Sequence, residues 1–278
     1  MVRDFIKEIY KEDVYRIKFI KDCFKISNPL NRNETNFILN DQQKKLVELM
    51  YNNSYTVCKK GRQLGATSTL VAAMLSKALF APNNSTFVYI TNDITTKNDI
   101  YSKLKYFINQ IANVILNGSF IFEKDTLTFS NGTKIILGTP LVIREKYLKN
   151  VDTLIVDEIS FMKENELNQL LRELQFNYVS FGKTKIMFIG TPNGKNYFYH
   201  LYKILDNKYS MDWWNDPRFN NDLLWYKNGD YLYRTDKTNY SVLMFQEWIP
   251  INMWFINMCK AFNMDFNKIN SEISNQFI

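Results

Sequence analysis

Short apolar segments alternate with helix-length amphipathic segments through the middle of the chain, and this order constrains the fold more than any single motif. Residues 86–91, 152–156 and 185–189 have the composition of buried strands, and each is followed by a helical pattern. Strands that alternate with helices of this length are typical of a mostly parallel sheet with helices on both faces. We therefore predict an α/β fold in which ligands bind at the carboxyl ends of the strands.

The alternation ends near residue 209, where aromatic residues and asparagines become frequent. We predict a large unit over residues 1–208, which begins with a helical, lid-like segment at 1–36, and a small second subdomain over residues 209–278. Residues 120–137 are predicted to form a hairpin, because the pair Asn131-Gly132 is a strong signal for a tight turn.

Composition narrows the classes of function. The hydrophobic content of 46% is typical of a folded protein and argues against disorder. Three scattered cysteines favour a reducing compartment, and the single histidine, His200, argues against a His-rich zinc site or a Ser-His-Asp triad. The net charge of +7 suits a polyanionic partner, and no apolar run reaches the ~18 residues that indicate a membrane span.

A basic turn with two glycines lies between a short apolar segment and a helical pattern. Its sequence is Lys60-Gly61-Arg62-Gln63-Leu64-Gly65-Ala66-Thr67-Ser68. Gly65 and Thr67 stand where the usual phosphate-loop pattern has its second glycine and its hydroxyl residue, but Ala66 stands where that pattern has lysine. The turn can still bind phosphate if Lys60 supplies the cation from its other end and Arg62 adds charge. Taken alone, the segment is equally compatible with a basic turn that binds nothing.

Two carboxylates, Asp157 and Glu158, directly follow the predicted strand at 152–156. In nucleotide-hydrolysing enzymes the first carboxylate of such a pair can hold Mg²⁺, and the second can orient and deprotonate the attacking water. Asp157 is predicted to bind Mg²⁺ together with Thr67, and Glu158 is predicted to be the catalytic base. Together the loop and the acidic pair favour an α/β fold of the P-loop NTPase type that binds ATP and Mg²⁺.

Over essentially its whole length the chain resembles the ATPase domain of the large terminase subunit, the DNA-packaging motor of tailed bacteriophages. The family's phosphate loop, K-x-R-Q-x-G-x-[ST], carries its lysine early, so Ala66 does not indicate an inactive enzyme. Five residues match this pattern, namely Lys60, Arg62, Gln63, Gly65 and Thr67. The family's coupling motif is matched by Gly190-Thr191-Pro192-Asn193-Gly194, and Glu272 to Phe277 is similar to the segment that closes the ATPase portion.

The resemblance implies further roles. ATP would be bound by residues 60–68 and by Gln43, with Gln42 as the alternative contact to adenine. Arg144 would be an arginine finger, although Glu145 follows it where the family commonly has glycine. Thr191 and Asn193 would sense the γ-phosphate and couple its loss to the second subdomain.

The resemblance also implies partners and a place of action. It implies double-stranded DNA, a capsid portal protein and a small terminase subunit as partners, with the chain in a homo-oligomeric ring when assembled. It implies action in the host cytoplasm during virus assembly, without a membrane. We expect no DNA cleavage by this chain, because no clustered acidic triad remains to supply a metal-dependent nuclease site.

Two other functions are compatible with parts of the pattern. A helicase-like DNA translocase shares the order of glutamine, phosphate loop and acidic pair, but it needs a second motor domain, for which the residues after Gly194 are too few. A non-catalytic nucleic-acid-binding assembly protein is supported by Ala66, and Glu158 argues against it.

Overall fold

The computed structural model describes residues 13–27, 33–112, 120–143, 151–181, 184–233, 248–265 and 268–276. The helices in these ranges are α1 (Asp13–Cys23), α2 (Asp41–Asn52), α3 (Ala66–Leu79), α4 (Ile94–Ile111), α5 (Glu164–Phe181), α6 (Tyr197–Ile204) and α7 (Met253–Ala261). Shorter helical turns span Ile159–Phe161, Trp213–Asn215 and Ile269–Ile273.

Thirteen strands are described. They are β1 (Lys25–Ser27), β2 (Glu34–Asn36), β3 (Tyr55–Lys60), β4 (Thr86–Ile90), β5 (Phe120–Glu123), β6 (Thr126–Phe129), β7 (Lys134–Gly138), β8 (Val151–Val156), β9 (Lys185–Gly190), β10 (Lys208–Met211), β11 (Leu224–Lys227), β12 (Asp230–Tyr233) and β13 (Ile249–Ile251). Eight of them form one sheet in the order β10-β3-β9-β8-β4-β7-β6-β5. The pairings from β10 to β7 are parallel, and only β6 and β5 are added antiparallel at one edge.

Helices cover both faces of this sheet, as the sequence predicts. On one face Leu70 of α3 and Leu104 of α4 are buried in a core that also contains Phe19 of α1. On the other face Leu167 of α5 and Phe198 of α6 are buried in a second core. The strands in the middle are covered on both sides, and their carboxyl-terminal halves are accordingly apolar in β4, β8 and β9, as is typical of parallel sheets.

The predicted boundary between residues 208 and 209 falls inside strand β10. Tyr209, Ser210 and Met211 pair in parallel with β3 and therefore belong to the large sheet. This strand has only four residues and lies in an aromatic segment, so the alternation of apolar and polar residues was too short to predict it. Beyond it, β11, β12 and β13 form a small antiparallel sheet, and Trp213 and Trp225 are buried in the same core as α3.

Two other predicted segments differ in detail. Residues 120–138 form two successive hairpins rather than one; Asn131-Gly132 lies between β6 and β7, and a second turn at Lys124 separates β5 from β6. The described part of the predicted lid-like segment contains α1 and the β1–β2 pair, and Ile20 and Phe24 are fully buried in the main core. In the described ranges, no helix combines the length and the apolar character needed to cross a membrane.

Candidate nucleotide-binding site

The predicted phosphate loop connects β3 to α3 and lines a pocket of about 540 Å³. Every residue from Lys60 to Ser68 contributes to the wall. The loop turns sharply because Gln63 and Gly65 adopt left-handed backbone conformations, with φ of 63° and 75°. Helix α3 begins at Ala66, so its first backbone N–H groups, which lack partners within the helix, lie at the pocket. A helix N-terminus of this kind favours an anion such as phosphate.

Lys60 ends strand β3 and is 7% exposed. Its Nζ donates to Glu158 Oε1 at 2.7 Å and lies 3.4 Å from Thr191 Oγ1. Burial alone would lower the pKa of Lys60, but the carboxylates of Glu158 and Asp157 together outweigh burial and raise the pKa. The side chain therefore stays protonated, as it must if Lys60 supplies the positive charge that binds phosphate from the start of the loop.

Asp157 follows β8 and is completely buried. Its Oδ2 accepts hydrogen bonds from Thr67 Oγ1 at 2.9 Å and from Tyr89 Oη at 2.7 Å, and its Oδ1 accepts one from the backbone N–H of Glu158 at 2.8 Å. The structure thus joins the two residues predicted to hold Mg²⁺. The carboxyl ends of β3, β9 and β8 are neighbours in the sheet, which is why residues far apart in sequence meet here.

Glu158 has a left-handed backbone conformation with φ of 53° and ψ of 35°. A non-glycine residue adopts this region at a cost in free energy, and such residues concentrate at functional sites. Its Oε1 is bound to Lys60, whereas its Oε2 is buried and has no hydrogen-bond partner among the described residues. The second oxygen therefore has no donor among these residues.

The two glutamines before β3 make different contacts. Gln43 takes part in a capping box with Asn40 at the start of α2, and its Nε2 donates to Leu64 O in the loop at 3.0 Å. A Cβ on Gly65 would lie 2.7 Å from that Nε2, so the contact requires glycine. Both ends of the Gln42 amide are also bonded, but to the backbone of Asp212, at 3.0 and 2.8 Å. Neither glutamine lines the pocket, and Gln43 differs from Gln42 in that it contacts the loop directly through Leu64.

Of the two predicted coupling residues, Thr191 contacts the pocket residue Lys60 and Asn193 contacts the turn that follows it. Thr191 is 1% exposed, its hydroxyl lies against Lys60, and its carbonyl accepts a hydrogen bond from Ser160 Oγ. Asn193 is exposed and does not line the pocket. Its carbonyl accepts from Asn196 Nδ2 at 2.9 Å, so its described role is in the turn that leads to α6.

The far side of the loop contacts the C-terminal part of the chain. The backbone N–H of Gly61 donates to Met211 O at 3.1 Å, and that of Arg62 donates to Glu272 O at 2.7 Å. The side chains of Arg62 and Glu272 form an ion pair at 2.9 Å. Arg218 also donates to Gln63 O at 3.1 Å. The loop is therefore held from outside by the end of β10 and, beyond that strand, by Arg218 and Glu272.

Sequence reasoning missed part of the pocket wall. Asn92, Asp93 and Thr96, at the end of β4 and the start of α4, line the pocket together with Phe161. The signal was their place after a predicted strand, because the carboxyl ends of parallel strands share one edge. Arg144, the predicted arginine finger, lies outside the described residues.

The fold and the site define a class of protein: a mostly parallel α/β domain with a phosphate-type loop at the carboxyl edge of its sheet. A family model described as terminase large subunit, T4likevirus-type, N-terminal, matches residues 57–208. The match covers more than half of the chain, and the chain belongs to this family of large terminase subunits. The resemblance predicted from the loop and from the coupling motif is thereby confirmed.

Solved structures show the same fold. The large terminase ATPase domain of Thermus phage P74-26 is 13% identical with a TM-score of 0.55, over 84% of this chain and 93% of that chain. The HK97 bacteriophage large terminase is 11% identical with a TM-score of 0.66, over 96% of this chain and 55% of that chain. The present chain thus corresponds in length to an ATPase domain and to little more than half of the HK97 protein.

Proposed function

We propose that this chain is an ATP-hydrolysing motor that moves double-stranded viral DNA into a preformed capsid. The observation that carries the proposal is the convergence of Lys60, Thr67, Asp157 and Glu158 at one edge of the sheet. Membership of the large terminase family supports a role in DNA packaging, and the pocket supports a nucleotide as the source of energy.

The donor set of Thr67 and Asp157 fits Mg²⁺. A hydroxyl and a carboxylate 2.9 Å apart are the oxygen ligands that this ion prefers, and Mg²⁺ usually takes few protein ligands beside phosphate. When bound, the ion neutralises charge that develops on the transferred phosphoryl group. Lys60 and Arg62 supply further positive charge from the loop.

Substrate binding exchanges the partner of Lys60. In the structure its ammonium is bound to Glu158, and the γ-phosphate of ATP is a competing, more highly charged acceptor. Once Lys60 turns to phosphate, Glu158 is released to orient the attacking water and to accept its proton. The base is thus released by the arrival of the substrate.

Coupling proceeds from the same loop. Thr191 contacts Lys60, and Arg62 contacts Glu272 of the C-terminal segment, so occupancy of the phosphate site changes contacts in both directions. A ligand shifts a conformational equilibrium only by its differential affinity for the two states. Loss of the γ-phosphate restores the Lys60–Glu158 pair and shifts the balance of the subdomains. Asn193, in the same turn as Thr191, and Arg144 as arginine finger belong to this proposal.

The partners follow from the packaging role. Double-stranded DNA is the moved substrate, and a capsid portal protein and a small terminase subunit are the protein partners. The chain acts in a homo-oligomeric ring in the host cytoplasm during virus assembly. The net charge of +7 is compatible with a polyanionic substrate.

The first experiment is ATP binding and steady-state ATP hydrolysis with Mg²⁺, comparing wild type with Glu158→Gln. We expect the variant to bind ATP and to lose roughly 10²–10⁴-fold in turnover, since it keeps the shape of the base and loses its proton affinity. The matched control is Glu48→Gln, an exposed glutamate on α2, which should leave both quantities unchanged. Absence of ATP binding by the wild type would exclude a motor and favour the assembly protein.

A second experiment separates packaging from other translocation. Capsids that carry their portal are mixed with the protein, ATP and linear double-stranded DNA, and DNA protected from nuclease is measured. We expect protection that depends on Glu158. ATP hydrolysis with strand displacement and without protected DNA would instead support the helicase-like alternative.

A further inference from the structure

Tyr89 lies in β4, next to β8 in the sheet, and is 1% exposed. Its ring is part of the core beneath α3, and its hydroxyl donates to Asp157 Oδ2 at 2.7 Å. The register of the two strands pairs Tyr89 with Ile155, two residues before Asp157, so the long tyrosine side chain reaches the end of β8. Neither the phosphate-loop motif nor the acidic pair assigns a role to this residue.

The hydrogen bonds of Asp157 fix the plane of its carboxylate. Oδ2 receives two hydroxyl donors, Thr67 and Tyr89, while Oδ1 receives the backbone N–H of Glu158. Thr67 lines the pocket and Tyr89 does not. A threonine whose oxygen becomes a metal ligand must adjust its geometry, whereas the tyrosine hydroxyl, held in the core, can keep its bond to the carboxylate.

We propose that Tyr89 is a positioning residue that holds the carboxylate of Asp157 in the orientation needed to bind the Mg²⁺ of the nucleotide. The inference rests on the proposed function, because it concerns the same site. Groups that hydrogen-bond to a metal ligand from behind orient it, and their loss typically weakens metal affinity or activity by about 10- to 100-fold. Tyr89 acts on the metal through Asp157 and does not touch the substrate.

The competing explanation is that the hydroxyl only satisfies a buried carboxylate and contributes to stability. The variant Tyr89→Phe distinguishes the two, because it keeps the ring in the core and removes one oxygen. The matched control is Tyr51→Phe. Tyr51 is also 1% exposed, and its hydroxyl donates to Ala73 O at 2.9 Å, so the control also removes a buried tyrosine hydroxyl bond.

The experiment uses Mn²⁺ as a spectroscopic substitute for Mg²⁺ and measures its affinity for the protein–ADP complex by electron paramagnetic resonance. ADP affinity is also measured in EDTA, and thermal unfolding is recorded for each protein. For Tyr89→Phe we expect Mn²⁺ to bind about 10-fold more weakly, with metal-free ADP affinity unchanged. For Tyr51→Phe we expect Mn²⁺ affinity equal to that of the wild type.

The outcomes separate this inference from the proposed function. Wild-type Mn²⁺ affinity in Tyr89→Phe would overturn the positioning role and leave the motor intact. Equal weakening in both variants would also overturn it, because the effect would then follow from stability alone. A wild-type protein that binds neither ADP nor the metal complex would remove the proposed function itself.

Discussion

The two sides of the phosphate loop differ in the kind of contact that they make. The inner side, with Lys60 and Thr67, contacts the buried carboxylates of Glu158 and Asp157 through charged or hydroxyl side chains. The outer side, with Gly61 and Arg62, contacts Met211 and Glu272 mainly through backbone hydrogen bonds and one ion pair. The inner contacts join the loop to the residues predicted to act in hydrolysis and metal binding, and the outer contacts join it to the end of β10 and to the C-terminal segment.

This difference indicates how one loop can take part both in the proposed ATP hydrolysis and in its coupling to the C-terminal segment. Under the proposed function, the inner ion pair occupies two groups that ATP hydrolysis requires, so it opens when ATP binds. The outer backbone bonds involve no such group and can persist throughout a cycle. The outer ion pair lies between these two cases. Arg62 is predicted to contact phosphate, so the pair can open, and its side chain is 53% exposed. Perturbing each side separately should therefore give different phenotypes.

The largest effect is expected on the inner side, for Lys60→Ala. The variant removes the cation predicted to bind phosphate. The free energy of ATP binding should therefore become less favourable by about 2–5 kcal/mol, the usual loss when one partner of a buried charge pair is truncated. Isothermal titration with ATP and Mg²⁺ measures this directly.

The control for this prediction is Lys59→Ala, one residue earlier in the same strand. Lys59 donates to Asn275 O at 3.0 Å and does not line the pocket. Burial lowers its pKa, in contrast to Lys60. Its loss should reduce stability with little change in ATP affinity. If Lys59→Ala alone abolished ATP binding, the assignment of the phosphate-binding lysine would move to that residue.

A smaller effect is expected on the outer side, for Asn275→Ala. Asn275 is fully buried, and its Nδ2 is within hydrogen-bond distance of Lys59 O, Met211 O and Asp212 Oδ1, among other acceptors. Leaving buried acceptors unsatisfied costs about 1–3 kcal/mol. The residue also has φ of 57°, which alanine tolerates less well than asparagine. The free energy of unfolding, measured in denaturant, should therefore fall by that amount.

The matched variant for Asn275→Ala is Gln276→Ala, whose side chain is exposed in the same segment. It should leave the free energy of unfolding within the error of the measurement. Equal stability of both variants would show that Asn275 does not fasten the C-terminal segment to β3 and β10, the two strands beside the loop.

The inner side was largely predictable from sequence, and the outer side was not. Lys60 ends one strand and Asp157 directly follows another, and parallel strands bring their carboxyl ends to one edge, so local patterns sufficed to place them together. The pairing of Arg62 with Glu272 depends on how a distant segment packs. Contacts of this kind between distant segments are not predicted by any local sequence pattern.

Two residues show the same limit within the large sheet. Tyr89 has the pattern of an ordinary core residue in a strand, and only the register of β4 against β8 shows that its hydroxyl reaches Asp157. Met211 belongs to a strand of four residues in an aromatic segment, too short for alternation to be recognised. Its position beside β3 was found only from the pairing of the strands.

The smallest change in stability is expected for Glu272→Gln. The effect of this variant on ATP affinity shows whether the Arg62–Glu272 ion pair opens or stays closed when ATP binds. The Arg62–Glu272 pair is half exposed on the arginine side, so its loss should lower the free energy of unfolding by less than about 1 kcal/mol. If Arg62 leaves Glu272 to contact phosphate, removing the competing carboxylate should tighten ATP binding, because the variant no longer has to break the pair. The same isothermal titration measures this, with Glu48→Gln as the control for loss of an exposed charge. Weaker or unchanged ATP binding in Glu272→Gln would mean that the ion pair stays closed when ATP binds and that the second subdomain senses the loop through its backbone bonds alone.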